Sequence, residues 1–166
     1  MNNITLIGMP GSGKSTLGVL LAKTLGFDFL DVDLLIQKQE GALLQDILDA
    51  HGTEGFLDLE ADVIASVECD RTVIAPGGSV ICREKGIEHL KAMGKVVYLR
   101  LPCAVLERRI HNMGSRGIAF QPGETLQDIY DARIPLYEKY ADIVVDGDQG
   151  SLEETLAVVL QALIGC

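Results

Sequence analysis

The octapeptide GMPGSGKS, Gly8 to Ser15, does more than any other stretch to limit what this chain can fold into. It fits G-x-x-x-x-G-K-[ST] without deviation, directly after an apolar branched run, NITLIG, and directly before a helical one. Glycines let a backbone curl until successive N–H groups face one anion. A helix N-terminus adds partial positive charge to the same concavity. Such a loop needs a buried strand to launch it and a helix to receive it, so the pattern predicts an α/β fold that binds a nucleoside triphosphate. Gly11, Ser12, Gly13, Lys14, Ser15 and Thr16 are the expected contacts. Lys14 reaches the β- and γ-phosphates, and the Ser15 hydroxyl coordinates Mg²⁺.

The rest of the chain alternates short apolar runs with amphipathic ones, the pattern of βα units and a mostly parallel sheet. The spacing predicts five strands, at Ile4–Ile7, Phe27–Leu30, Thr72–Ala75, Val96–Leu99 and Ile143–Val145. Leu17, Leu20, Leu21 and Leu25 fall on one stripe of a helix over 14–25, and Pro102 suits the first turn of a helix running to about 112. Ser151 and Glu154 form a capping box before a last helix that carries Leu152, Leu156, Leu160 and Leu163 on one face. The glycine-rich stretch NMGSRGIAFQPGE, 112–124, reads as a mobile lid or binding loop.

At 166 residues and 48% hydrophobic, the chain is expected to form one domain over 1–166. A formal net charge of −10 makes nucleic acid and anionic membranes poor partners, because phosphate backbones are bound by excess Lys and Arg. A single phosphorylated ligand needs only a local basic pocket. Cys69, Cys82, Cys103 and Cys166 are scattered, which points to reduced thiols rather than a zinc or redox site. No leader segment precedes the first strand and no apolar run approaches the roughly 20 residues that span a bilayer. A soluble, cytoplasmic monomer acting on a small molecule is expected.

A guanine-specific GTPase would carry N-K-x-D, yet the asparagines are Asn2, Asn3 and Asn112, and none precedes lysine. The acidic pair comes instead at the end of the second strand, in FLDVDLL. Asp31 and Asp33 are two apart, so along an extended backbone both point to one side, towards the crevice at the C-terminal edge of a parallel sheet. One carboxylate could hold a metal-bound water while the other accepts a hydroxyl proton. The alternative is that Asp33 caps a helix starting near Leu34.

With these features the chain resembles the shikimate kinases, P-loop kinases of small molecules, over nearly its whole length. The resemblance is carried by GMPGSGKST, DVD at 31–33, GTEGFLDLE from Gly52 to Glu60, PGGSV at 76–80, the arginine in GSRG, and DARIPLYEKYAD at 131–142. It implies a short five-stranded sheet flanked by helices, and transfer of the γ-phosphoryl of ATP, with Mg²⁺, to shikimate in aromatic amino-acid biosynthesis. By the same resemblance, Asp33 is the general base or orienter, Asp31 acts on Mg²⁺ through water, and Ser15 ligates it directly. Gly77 and Gly78 bring backbone N–H groups to the substrate, where the Gly52–Glu60 run with Leu57 and Glu60 also lies. Arg133 pairs with the substrate carboxylate, Arg116 meets the transferring phosphoryl group from the lid, and Arg109 lies against the adenine. As plain sequence, Arg116 could be a solvated loop charge, Arg109 a surface arginine, and Arg133 a cation at a helix end.

Two positions depart from the family pattern. Leu57 stands where an arginine usually shares the substrate carboxylate, and Pro76 replaces the first glycine of a three-glycine turn, removing one N–H donor. Losing a charge-assisted contact costs on the order of 1.5–3 kcal/mol. Three readings follow: shikimate bound through Arg133 and another cation, with Arg83 a candidate; a different hydroxylated acceptor; or a nucleotide-binding regulatory protein without turnover. The third is weakened because Lys14, Ser15, Asp31, Asp33 and Arg116 are all retained.

Overall fold

The computed structural model describes residues 2–113, 123–148 and 150–166. The elements follow in the order β1 (Asn3–Ile7), α1 (Lys14–Leu25), β2 (Asp28–Asp31), α2 (Val32–Glu40), α3 (Leu44–Ala65), β3 (Thr72–Ala75), a 3₁₀ turn (Gly78–Cys82), α4 (Glu84–Met93), β4 (Gly94–Arg100), α5 (Cys103–Met113), α6 (Leu126–Tyr140), β5 (Ile143–Asp146) and α7 (Leu152–Ile164). All five predicted strands form, β3 with the predicted bounds and the others with one or both ends shifted by one or two residues. They make one parallel sheet in the order β2-β3-β1-β4-β5.

Burial follows from that order. The central strands β1 and β3 are buried at every residue, as expected where helices cover both faces of a parallel sheet. The edge strands differ: β5 alternates buried and accessible residues, and β2 begins exposed. Around the sheet, Leu17 and Leu21 of α1, Ile36 of α2, Phe56 and Ile64 of α3, Leu90 of α4 and Val159 of α7 close the core. The leucines of α7 pack partly buried against it, and Ser151 Oγ accepts from the Glu154 N–H at 3.2 Å, as its spacing predicts.

Strand order also places the site. From β1 the chain passes through α1 to β2 on one side, returns to β3, and later reaches β4 on the other side of β1. The loops leaving β1 and its neighbours therefore diverge at the C-terminal edge, the switch point where α/β sheets bind ligands.

Three local expectations are corrected. β2 ends at Asp31 and Asp33 already lies in α2, so the two carboxylates do not share one side of a strand. The cap of α2 is Asp31, whose Oδ1 accepts from the Leu34 N–H at 3.2 Å, rather than Asp33. An Asp three residues before the helical N–H it receives has the ideal N-cap spacing. Arg133 is not at a helix end either: α6 continues through Pro135 to Tyr140, and Arg133 is buried in its middle. Pro135 is exposed on that helix. Of the loop expected over 112–124, Asn112 and Met113 belong to α5, and residues 114–122, with Arg116, lie outside the described residues.

Candidate active site

At the C-terminal edge of the sheet lies a cavity of about 360 Å³. Three successive strand ends build it. β1 delivers the phosphate loop, with Pro10, Gly11, Gly13, Lys14, Ser15 and Thr16 on the wall. β2 leads into α2, which contributes Asp33, and β3 leads into Pro76, Gly77, Gly78 and Ser79. From α3 come Leu44, Phe56 and Glu60, and from α5 comes Arg109.

The phosphate loop has the shape its sequence predicts. Gly13, immediately before α1, sits at φ 90°, a left-handed conformation that a side chain would strain. That turn brings the chain into the helix without a side-chain cap, and the first-turn N–H groups of α1 have no intrahelical acceptor by construction. Such N–H groups at a helix start are a ready anion-binding feature. Lys14 is buried, and its Nζ donates to the carbonyls of Gly8 and Met9, both at 2.9 Å, which holds the ammonium over the loop. Ser15 and Thr16 are exposed at the cavity wall. Arg109 reaches across from α5 with Nη1 at 3.3 Å from the Ser12 carbonyl, so it lies over the loop rather than out in solvent.

The acceptor side centres on Gly77. A Cβ built there would stand 3.0 Å from both Asp33 Oδ1 and Glu60 Oε2, so two carboxylates from different helices converge on the space that the missing side chain leaves. Gly78 is needed for a different reason: its own Cβ would fall 2.7 Å from Pro10 Cδ, so the turn after β3 packs directly on the phosphate loop. The turn after β3 and the phosphate loop are thereby in direct contact.

Glu60 is only 2% exposed. Its Oε1 accepts from Ser79 Oγ at 2.7 Å, whereas Oε2 has no hydrogen-bond partner among the described residues. Burial, with the charge of Asp33 adding to it, pushes the Glu60 carboxyl up to about 7, against the opposing pull of Ser79, Arg133 and Lys14. Arg133 is 6% exposed, within electrostatic reach of Glu60 and hydrogen-bonding reach of Tyr137 and Cys82. Tyr137 is fully buried, stacks on Tyr98 with ring centroids 5.1 Å apart, and donates through Oη to the Gly78 carbonyl at 2.5 Å.

The predicted residues thus separate into groups. Lys14, Ser15, Thr16, Asp33, Glu60, Gly77, Gly78 and Arg109 line one cavity. Arg133 stands behind Glu60. Asp31 is not on the cavity wall and serves α2 as its cap. Leu57 is not on the wall either: it is 6% exposed and belongs to the core. Arg83 does not replace the missing cation, because it faces outward in ion pairs with Glu54 and, at 2.8 Å, Asp58. Sequence reasoning missed Ser79, Phe56, Leu44 and Tyr137. Tyr137 carried a signal, since it stands four residues after Arg133 and so on the same helical face.

These features agree with known relatives. The chain belongs to the shikimate kinase family. The family model for shikimate kinase matches residues 10–164. A shikimate kinase of Thermodesulfovibrio yellowstonii is 36% identical over 164 residues, covering 97% of this chain and 94% of that protein. One from Clostridium botulinum is 36% identical, covering 98% and 96%. Among solved structures, shikimate kinase from Acinetobacter baumannii in complex with shikimate superposes with a TM-score of 0.89 at 32% identity, covering 99% of this chain and 94% of that one. The Aquifex aeolicus shikimate kinase gives a TM-score of 0.82, also at 32% identity, covering 98% and 96%.

Proposed function

We propose that this protein transfers the γ-phosphoryl group of ATP to a hydroxyl of shikimate, forming shikimate 3-phosphate for aromatic amino-acid biosynthesis in the cytoplasm. The observation that carries the reading is the placement of Asp33 on the same cavity wall as Lys14 and the first turn of α1. Phosphoryl transfer asks a protein for positioning and charge neutralisation more than for covalent chemistry. The loop N–H groups and Lys14 hold the β- and γ-phosphates. Asp33 orients the attacking hydroxyl and takes its proton as the new P–O bond forms and the bond to ADP breaks.

Among the described residues no cluster of three or more His, Cys, Asp or Glu side chains could cage a metal ion. That suits Mg²⁺, which in such sites takes one or two protein oxygens and completes its shell with phosphates and water. Ser15, exposed on the cavity wall, would be its direct ligand, while Asp31, off the wall and capping α2, would act only through water; the ion would supply charge neutralisation at the phosphates. Arg109 fits a contact with the nucleotide over the loop, Arg116 one with the transferring group, and Arg133 one with the acceptor carboxylate.

Leu44 and Phe56 favour a second reading, a kinase of the same mechanism with another hydroxylated acceptor, because they give this side of the cavity an apolar wall. ADP release with Mg-ATP, in the presence and absence of shikimate, tests both. Release that depends on shikimate is expected. Release that needs a different hydroxylated acid favours the second reading, and release without any acceptor overturns the kinase assignment.

A further inference from the structure

The apolar wall of the cavity includes Leu44, the first residue of α3. The residue ahead of it, Leu43, has no side-chain oxygen with which to cap a helix. The Leu44 N–H donates instead to Gln37 Oε1 at 2.9 Å, from the last turn of α2. The Gln37 carbonyl also accepts from the Gly41 N–H at 2.9 Å and the Ala42 N–H at 3.3 Å. Gly41, at φ 66°, makes the left-handed turn that lets the chain wrap back on this residue. One residue thus closes α2 and opens α3. Leu43 is turned outward, 68% exposed, whereas Leu44 packs partly buried against the core and on the cavity wall. Gln37 also stands four residues after Asp33, on the same face of α2. The helix that brings Asp33 to the cavity therefore carries, one turn on, the group that fixes Leu44.

We propose that Gln37 is a positioning residue for the acceptor: its side chain holds Leu44 on the cavity wall at a set span from Asp33, and so fixes the width of the space that the acceptor must fit. This role rests on the shikimate kinase reading above and belongs to a residue that itself touches no substrate. Gly41, Ala42 and Leu43 are all exposed, so packing of that loop does little to hold the start of α3. Without the Gln37 bond the first turn of α3 frays, and Leu44 is on the wall only part of the time. Apparent affinity for the acceptor then falls with the fraction of molecules whose wall is in place, while a bound acceptor restores it. The phosphate loop is launched from β1 and received by α1, so nucleotide binding does not depend on this bond.

The test is the initial rate of ADP release for wild type, Gln37→Met and Gln37→Glu, with shikimate and Mg-ATP varied in turn. Gln37→Met keeps length and helix propensity but removes the oxygen, whereas Gln37→Glu keeps an acceptor at the same reach. In Gln37→Met the shikimate KM is expected to rise about two- to tenfold, the range one neutral hydrogen bond can supply, with kcat and the KM for ATP unchanged. Gln37→Glu should bring the shikimate KM back to within about twofold of wild type, at an ionic strength that screens the added charge. Amide hydrogen exchange gives a readout apart from turnover: Leu44 should lose protection in Gln37→Met and keep it in Gln37→Glu, with protection across the sheet unchanged. An unchanged shikimate KM in Gln37→Met, equal rises in both KM values, or no rescue by Gln37→Glu overturns the inference and leaves the kinase reading intact. A wild type that turns over no shikimate removes the kinase reading and this role together.

Discussion

The two halves of the active site are built to different standards. The proposed phosphate half is redundant: loop glycines, the N-terminus of α1, Lys14 and Ser15 all line one part of the cavity. The acceptor half is sparse. It has two carboxylates at Gly77, an apolar wall of Leu44 and Phe56, and Arg133 behind them, while Leu57 has been absorbed into the core. The difference teaches where this chain has room to vary. Phosphoryl transfer from ATP is served by several donors at once, whereas the acceptor depends on few anchors, so a single substitution on that side has the larger effect on substrate choice.

The largest effect that would break this contrast is expected at Asp33. Asp33→Asn keeps the shape and removes the proton acceptor, and kcat should fall about 10²–10⁴-fold with the KM for ATP unchanged, read from initial rates of ADP release. A variant that kept more than a tenth or so of its rate would show that the acceptor hydroxyl needs no base here.

Arg133→Met comes next. Loss of its charge-assisted contact should raise the shikimate KM roughly 10- to 150-fold and leave the KM for ATP alone. Equal losses on both substrates would mean that Arg133 supports the fold rather than the acceptor, and a melting curve would show the matching destabilisation.

Tyr137→Phe is a smaller probe of how the halves are joined. The variant keeps the ring stacked on Tyr98 but leaves the buried Gly78 carbonyl without its phenol donor, at a cost of about 1–3 kcal/mol in stability by chemical denaturation. Because Gly78 packs on Pro10, a severalfold rise in both KM values is expected, unlike the one-sided effect at Arg133.

The phosphate half was also the legible half. A motif whose function lies in the backbone can be read from glycines, and the structure sets that loop between β1 and α1 as the pattern predicts. The five strands were legible because branched apolar runs in a parallel sheet are buried on both faces. The acceptor half depends on which residues from α2, α3 and α6 meet after folding, and no local pattern records that. Pro135 suggested a helix end near Arg133, yet α6 runs through it, since its N–H-free position faces solvent. Asp31 and Asp33 looked equivalent by spacing until the strand ended between them. Arg83 looked available until Glu54 and Asp58, one turn apart on α3, engaged it at the surface.

The contrast between halves is tested most directly by restoring a cation on the sparse side. Shikimate should be titrated over a wide range at fixed Mg-ATP for wild type and Leu57→Arg, with circular dichroism to confirm that the buried substitution has folded. The account predicts a lower shikimate KM in Leu57→Arg, by up to about tenfold, and an unchanged KM for ATP. A folded Leu57→Arg protein whose shikimate KM equals or exceeds that of wild type would contradict it, because the acceptor half would then not be short of an anchor.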